Sequence, residues 1–404
     1  MAFLSTKLPR EHEHRYAVGR NLMNGEADRS ANQLQGLQTT AGREQALLAP
    51  YAMFSHDSVG RQYAEPDHPY RGPFQRDRDR ILHSSAYRRL SGKMQVFTGE
   101  MGDYHRTRLT HTQEVASIAR TIARTLQLNE DLVEALALFH DIGHPPYGHA
   151  GEAALDECLS DVGGFSHNRY ALTIAEQLEY RHLQYPGLNL SQEVLNSQAF
   201  RVDKQLGSEA PLLEAQVVDA SDSITYDAHD TDDAIKLGLV TMEEFKSLDL
   251  VRHCLDRIGQ AAEGLDEDNL RRAIVHELID CQVNNVLHVA GRVLMESGWE
   301  SAAEAQQDPF LIEPAGALAD EKKQLESFLL ERVYHHPQLI EKRDIAQDRL
   351  QRMFDLLTSR VDMLPGRFQD RASEVGLKRA VGDYLAGMTD RYLENCFEQQ
   401  FPAG

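Results

Sequence analysis

Residues 140–152 read HDIGHPPYGHAGE, and this stretch decides how the rest of the chain is interpreted. The apolar segment 132–139 precedes it and is typical of a buried helix. Gly143 and the two prolines after it force a turn, so His140 and Asp141 lie at a helix end. Imidazole nitrogens and carboxylate oxygens together suit divalent metals. An adjacent histidine and aspartate alone are a weak signal, because most such pairs are surface residues.

Two further stretches supply residues of the same chemical type. His111 stands at the start of a helical pattern, and Asp222 lies far downstream among alternating acidic and apolar residues. Asp222, Tyr226 and Asp230 follow one another at intervals of four, so a helix places them on one face. That face is either the wall of a cleft or part of a solvated acidic helix, and spacing alone favours neither interpretation.

Helical patterns dominate the remaining sequence. Within 115–128 the apolar residues follow a helical period: Val115, Ile118, Ile122 and Leu126. Residues 94–98 are the best short strand candidate. The patterns predict a mostly α fold in which a polar N-terminal arm, 1–45, precedes a core, 46–240. A helical C-terminal part, 241–404, is expected to belong to the same globular unit.

Composition restricts the kind of partner. The 404 residues contain 42 basic and 63 acidic side chains, which gives a formal charge of −21 and argues against nucleic-acid or anionic-membrane binding. The four cysteines are far apart and form no CxxC pair, which is typical of a reducing compartment. No segment is long and apolar enough to span a membrane. We therefore expect a cytoplasmic protein without a membrane partner.

His111, the pair His140 and Asp141, and Asp222 together resemble the H…HD…D signature of the HD-domain metal-dependent phosphohydrolases. The longer run at 140–152 resembles the deoxyguanosinetriphosphate triphosphohydrolases and related dNTP triphosphohydrolases of bacteria. The likeness extends from about residue 45 to residue 395 and is carried by segments 76–97, 106–120, 165–172, 186–194, 220–233 and 383–392. It implies an HD-domain helical core with a helical C-terminal extension.

The resemblance also implies a site and a reaction. One divalent cation, either Mn, Mg, Ni, Fe or Zn, is expected on four ligands: His111, His140, Asp141 and Asp222. Water is then expected to attack the α-phosphorus of a dNTP, which releases deoxynucleoside and tripolyphosphate. His149 and Glu152 match a proton-transfer pair, and His144 matches a catalytic histidine near the phosphates.

Further positions are expected to contact the dNTP: Arg108, Gln95, His167, Tyr226, Asp230 and Arg89. Residues 71–108 hold nine basic and four acidic side chains, so positive charge is concentrated there despite the acidic whole. Planar guanidinium groups suit bidentate phosphate binding. A tyrosine under the ribose leaves no room for a 2′-hydroxyl, which is the role that Tyr226 would have.

Other functions remain open on the sequence. Another HD phosphohydrolase would act on a 5′-nucleotide, a cyclic nucleotide or a guanosine alarmone, and a dNTP-sensing regulator would bind with little turnover. Relatives implied by the resemblance form tetramers or hexamers, some of them activated by a dNTP at a second site. We therefore expect a homo-oligomer and consider an allosteric dNTP as a further partner.

Overall fold

α-Helices make up nearly all of the regular structure in the computed structural model, which describes residues 39–95, 106–203 and 209–402. Within those ranges β pairing is limited to three isolated bridges, which join Arg61 with Ser191, Met94 with Thr107, and Tyr180 with Gly187. The predicted mostly α fold is therefore confirmed. The strand candidate 94–98 contributes a single bridge through Met94, and its residues 96–98 lie outside the described ranges.

The first half of the chain forms nine α-helices in the described residues: α1 (Thr40–Leu47), α2 (Pro73–Leu82), α3 (Ser85–Arg89), α4 (Arg108–Thr125), α5 (Glu130–Phe139), α6 (Gly148–Cys158), α7 (His167–Thr173), α8 (Gln192–Val202) and α9 (Leu213–Lys236). A π-helical turn, Ile174–Leu178, continues α7. Of the predicted polar arm 1–45, residues 1–38 lie outside the described ranges, and the remainder leads into α1 with Thr39 as its N-cap.

The second half of the described chain adds nine more: α10 (Met242–Lys246), α11 (Asp249–Ile258), α12 (Glu267–Ser297), α13 (Ala302–Gln306), α14 (Ala317–Leu329), α15 (Pro337–Ser359), α16 (Gly366–Val375), α17 (Leu377–Ala386) and α18 (Asp390–Gln400). A second π-helical turn, Leu330–Tyr334, follows α14 and places Tyr334 beside α9.

The larger apolar core surrounds α5, in which all seven residues from Leu132 to Phe139 other than Glu134 are buried. Phe139 at the end of α5 has no exposed surface, and neither do Val115 and Ile122 on α4. Each such side chain contributes about 1.5–3 kcal/mol of burial free energy. This core also includes Leu350 and Leu385 from the C-terminal half of the chain. The division into an arm, a core and a C-terminal part stays a prediction.

A smaller apolar cluster lies around the end of α9. It joins Ala234 to residues of α10, α11, α12 and α14, with Phe245 and Leu278 among its fully buried members. Because α9 contacts both clusters, it is held along its length against the rest of the helices. The polar residues on α9 are consequently fixed in position relative to α4 and α5.

Candidate functional site

The turn after α5 brings His140 and His144 into the interior. His140 caps α5 through its backbone N–H, which donates to Leu136 O at 3.0 Å. Gly143 has no space for a side chain, because a Cβ there would lie 2.0 Å from His167 O. This close approach packs the turn against the start of α7. The glycine thereby allows His144 and His167 to stack, with ring centroids 3.8 Å apart.

The first cluster consists of His111 on α4, His140 at the end of α5 and Asp222 on α9. His111 Nε2 lies 3.0 Å from Asp222 Oδ1, and His140 Nε2 lies 3.6 Å from the same oxygen. One ligand atom from each residue lies within 4.8 Å of the others, so the three can hold one metal ion. Helices far apart in sequence therefore bring together three of the four predicted ligands.

The chemistry of this donor set fits a divalent cation. His140 Nδ1 lies 2.6 Å from Ala137 O and donates to that carbonyl, so the proton is on Nδ1. Nε2 of the same ring therefore carries no proton and has a free lone pair. This nitrogen is buried and has no hydrogen-bond partner among the described residues. Burial opposes ionisation of Asp222, but the imidazoles of His140 and His111 hold its pKa far below the usual range.

Asp141, the fourth predicted ligand, lies beside the cluster and is engaged by other groups. Its Oδ2 accepts from Arg108 Nη1 at 2.8 Å, and its Oδ1 lies 3.6 Å from His140 Nε2 and 3.0 Å from His144 Nδ1. Burial raises the pKa of this carboxyl, but the two imidazoles and the guanidinium hold it well below its usual range. Asp141 thus connects the first cluster to His144, and its role as a ligand stays a prediction.

The second cluster contains the predicted proton-transfer pair. His149 Nδ1 lies 3.3 Å from Glu152 Oε2, and His167 Nδ1 lies 2.8 Å from Glu152 Oε1. Burial would raise the pKa of Glu152, but the hydrogen bonds from both histidines lower it far below its usual range. The His149 side chain is 65% exposed, so solvent and a bound molecule can reach it, whereas His144 is buried.

Arg108 is a buried basic residue that lies beside Asp141, between the two clusters. Its side chain has no exposed surface and pairs with Asp141. Gly148, at φ 57°, passes so close that a Cβ there would lie 2.6 Å from Arg108 Nη2. Tyr226 packs on His111, with ring centroids 4.9 Å apart, and also hydrogen bonds Arg108. This arrangement orients one guanidinium beside the first cluster.

The predicted acidic face of α9 is confirmed as one helix, but its three residues have different surroundings. Asp222 joins the first cluster and Tyr226 contacts His111, whereas Asp230 accepts a hydrogen bond from Tyr334. Burial raises the pKa of Asp230 to about 7. The helix is mostly buried, which favours the cleft wall over the solvated acidic helix.

Two other predicted substrate contacts lie in contrasting places. The side-chain amide of Gln95 is buried, and neither of its polar atoms has a partner among the described residues. Arg89 instead lines a cavity of about 1050 Å³ together with Tyr170 and Arg371, and that lining includes no member of the first cluster. The assignment of Arg89 to the substrate stays a prediction.

The positive charge of residues 71–108 is largely compensated in the folded chain. Arg76 and Arg80 share Glu65, and Arg78 pairs with Glu134. Further pairs join Arg71 to Asp79 and Arg106 to Asp232 and Asp233. The count of basic residues therefore overstated the charge available to an anion.

Lys93 is a different case, because it is buried and bonds to the backbone. It donates to His144 O at 2.6 Å and to Ala386 O at 3.0 Å, and these two bonds connect α17 to the turn after α5.

Sequence reasoning missed three residues that adjoin the first cluster: His229, Glu114 and Arg201, whose Nη1 lies 3.9 Å from Asp222 Oδ2. His229 Nδ1 lies 3.3 Å from His111 Nδ1, and His229 Nε2 hydrogen bonds the carboxylate of Glu114. Burial lowers the pKa of His229 to about 4, so its ring is neutral near pH 7. The spacing signal was present: Glu114 is three residues after His111, and His229 is seven after Asp222, so each pair shares a helix face.

Comparison with known proteins agrees with this geometry. The HD-domain profile matches residues 108–227, and the phosphohydrolase-associated domain matches residues 313–399. A deoxyguanosinetriphosphate triphosphohydrolase-like protein of Geobacter sulfurreducens is 37% identical over 369 residues, covering 89% of this chain and 96% of that protein. Proteins of the same name from Brucella ovis and Leptospira interrogans are 39% and 36% identical, over 85% and 88% of this chain and 93% and 97% of theirs.

Among the described residues, no helix has the combination of length and apolarity that crossing a membrane requires.

HD domains bind divalent metals, and the first cluster provides two histidines and one aspartate for such a metal ion. The matches to the three relatives each extend over 85% or more of the sequence. The chain therefore belongs to the HD-domain phosphohydrolases, within the group of deoxyguanosinetriphosphate triphosphohydrolase-like proteins.

Proposed function

We propose that this chain hydrolyses deoxynucleoside triphosphates, either dGTP or several dNTPs, to deoxynucleoside and tripolyphosphate. The observation that carries the proposal is the adjacency of two clusters, His111, His140 and Asp222 on one side and His149 with Glu152 on the other. Asp141 and His144 connect them, with Oδ1 and Nδ1 3.0 Å apart. A cation and a proton-transfer pair are thereby close enough to act on one phosphate group.

His111, His140 and Asp222, with Asp141 beside them, would hold the divalent cation. When bound, it supplies Lewis-acid polarisation of a phosphate oxygen and makes water a better nucleophile at the α-phosphorus. The lone pair on His140 Nε2, left free by the bond from Nδ1 to Ala137 O, is already directed by the protein. Elemental analysis of the protein as purified identifies which of Mn, Mg, Ni, Fe or Zn is the native cation.

Proton transfer is assigned to His149 and Glu152. The carboxylate accepts from His149 Nδ1, which fixes the tautomer and leaves Nε2 to exchange a proton with the leaving 5′-oxygen or the attacking water. Exposure of the His149 ring supports this role, because the group must reach a bound molecule. His144, neutral because burial and Arg108 hold its pKa well below the usual range, would contact the phosphates.

Recognition of the nucleotide is assigned to residues around the first cluster. Arg108 and His167 would bind phosphate oxygens, and Gln95 offers an unpartnered buried amide to the sugar or its 3′-hydroxyl. Tyr226 would lie against the ribose and exclude a 2′-hydroxyl, with Asp230 on the next turn of α9. We also retain Arg89 as a contact to the nucleotide.

The proposal extends to the setting of the enzyme. We expect a cytoplasmic homo-oligomer, either tetramer or hexamer, and consider a dNTP at a second site as its activator. The four cysteines are free thiols in the structure, which supports a reducing compartment. Size-exclusion chromatography with light scattering, in the presence and absence of each dNTP, measures the oligomer and its dependence on nucleotide.

The experiment is a substrate panel with product identification. The purified chain is incubated with each dNTP and with GTP, in Mn²⁺ or Mg²⁺, and the phosphates are separated by anion exchange. We expect tripolyphosphate from dNTPs and little from GTP; release of pyrophosphate or monophosphate refutes the proposal. Hydrolysis only of 5′-nucleotides, cyclic nucleotides or an alarmone would identify another HD phosphohydrolase. Tight dNTP binding without turnover would identify a regulator.

A further inference from the structure

His144, His149, Glu152 and His167 form a second group of metal-ligating side chains, separate from the first cluster. One ligand atom from each residue lies within 4.8 Å of the others. Three imidazoles and one carboxylate form the donor set of a four-coordinate zinc site, which is also typical for other transition metals with nitrogen ligands. We infer that the nucleotide-free protein binds a second divalent cation, of the zinc type, at these four residues.

The interior of this group contains an unsatisfied polar atom. His144 is only 1% exposed, and its Nε2 has no hydrogen-bond partner among the described residues. Buried imidazole nitrogens are nearly always paired, so an unpartnered one indicates a group that completes it. A cation among three other ligands is such a group, because a neutral imidazole nitrogen is a strong zinc ligand.

The four donors are held by short segments that pack together. His144 lies in the turn, His149 and Glu152 lie on the first turn of α6, and His167 is the first residue of α7. Glu152 is fixed between the histidines, since its Oε1 also accepts from the backbone N–H of His167 at 2.8 Å. The carboxylate therefore already draws two of the three rings towards one point.

The remaining adjustment is small. Tetrahedral zinc with bonds near 2.0–2.1 Å requires donor atoms about 3.4 Å apart. The four donor atoms all lie within 4.8 Å of one another. Side-chain rotation therefore has to shorten the donor–donor distances by less than about 1.5 Å for zinc to bind. His149 is 65% exposed and can rotate without disturbing the core. The site is thus preformed on its buried side and adjustable on its open side.

Zinc at this position has a functional consequence, which rests on the proposed dNTP hydrolysis. The cation would take the lone pairs of His149 and Glu152, and these are the groups assigned to proton transfer. A second equivalent of zinc is therefore expected to inhibit an enzyme whose first cluster already holds Mn²⁺. The cation binding itself does not depend on any nucleotide chemistry.

Counting bound zinc tests the site directly. The metal-stripped full chain is dialysed against Zn²⁺ without nucleotide, and zinc per chain is measured by elemental analysis. We expect two for the unsubstituted chain and one fewer for His149→Ala, whose side chain is 65% exposed and lies outside the apolar core. His335→Ala, which removes an exposed histidine outside both clusters, is expected to bind the same number as the unsubstituted chain.

The inference is overturned if His149→Ala binds as much zinc as the unsubstituted chain, or if His335→Ala loses zinc equally. Glu152 is unsuitable as the tested residue, because its bond to the His167 backbone also stabilises the start of α7. Failure of dNTP hydrolysis leaves the zinc count unaffected. Conversely, a chain that hydrolyses dNTPs but binds only one zinc in the dialysis refutes this site while leaving the proposed function in place.

Discussion

Replacing His229 with leucine tests whether the first cluster depends on a neighbouring imidazole. With a cation on His111 Nε2, the proton of that ring is on Nδ1, and the acceptor 3.3 Å away is His229 Nδ1. His229 then donates from Nε2 to Glu114, so the contacts form an unbroken chain of donors and acceptors. Leucine fills a similar volume but accepts no hydrogen bond, which leaves a buried N–H of His111 unpaired.

The expected magnitude follows in two ways. An unsatisfied buried donor costs about 1–3 kcal/mol. Loss of an outer partner of a metal-bound histidine weakens metal binding roughly 10–100-fold, which corresponds to about 1.4–2.8 kcal/mol. The two estimates cover a similar range of free energy. The full cost applies because His229 is only 2% exposed, so water cannot replace the lost acceptor. We therefore expect His229→Leu to weaken Mn²⁺ binding about 10–100-fold.

Titration calorimetry of Mn²⁺ into the metal-stripped protein measures this effect, and thermal unfolding of the same sample verifies that the fold persists. His229→Asn is the matched control, because its Oδ1 can take the position of the imidazole Nδ1 and should restore most of the affinity. Glu114→Gln should cost less than tenfold (about 1.4 kcal/mol), since Glu114 is 51% exposed and the amide still accepts from His229. Unchanged affinity in His229→Leu, or equal losses in the leucine and asparagine variants, would refute the reasoning.

Three further predictions concern the neighbouring residues. Glu152→Gln should lower kcat for dNTP hydrolysis by roughly 10²–10⁴-fold while Mn²⁺ affinity at the first cluster stays within a few-fold, as measured by steady-state kinetics and calorimetry. Gly148→Ala places a Cβ 2.6 Å from Arg108 Nη2 at a left-handed backbone position, so chemical denaturation should show a loss of at least about 1–2 kcal/mol; an unchanged midpoint would contradict this. The pKa of Asp230 is raised by burial to about 7, so the folded state binds the proton more tightly than the unfolded state, and its contribution to stability is lost as pH rises from about 4 to 7. The unfolding free energy of Asp230→Asn minus that of the unsubstituted chain should therefore be larger at pH 8 than at pH 4, by on the order of 1–4 kcal/mol. A difference that does not change with pH would argue against this reasoning.

The sequence was most informative where chemistry and local spacing coincide. His149 and Glu152, three residues apart, contact each other on α6 as helical geometry requires. The period of the apolar residues correctly predicted α4, with Val115 and Ile122 fully buried. The period places these side chains on one face of the helix, which is a local property that the pattern reveals, and packing of α4 against α5 and α9 then buries that face.

Charge was harder to interpret from the sequence. Nine basic residues in 71–108 indicated a concentrated positive region, but Glu65 and Glu134 pair with three of them from outside that segment. Ion pairs between distant segments are absent from a local count, because only packing determines which opposite charges meet. The same reason applies to Arg89, whose cavity is formed by α3, α7 and α16.

By itself, the sequence determined the helical class, through the period of its apolar residues. The run at 140–152, with His111 and Asp222, supplied the resemblance to the HD-domain family and the type of ligand available for a cation. The tertiary structure decided which atoms face one another. It brought His111, His140 and Asp222 together from three helices, engaged Asp141 with Arg108, and placed His229 behind His111. The physical reason is that hydrogen bonds and metal ligation depend on distances of a few ångströms, and between α4, α5 and α9 these distances are determined by core packing and not by spacing along the chain.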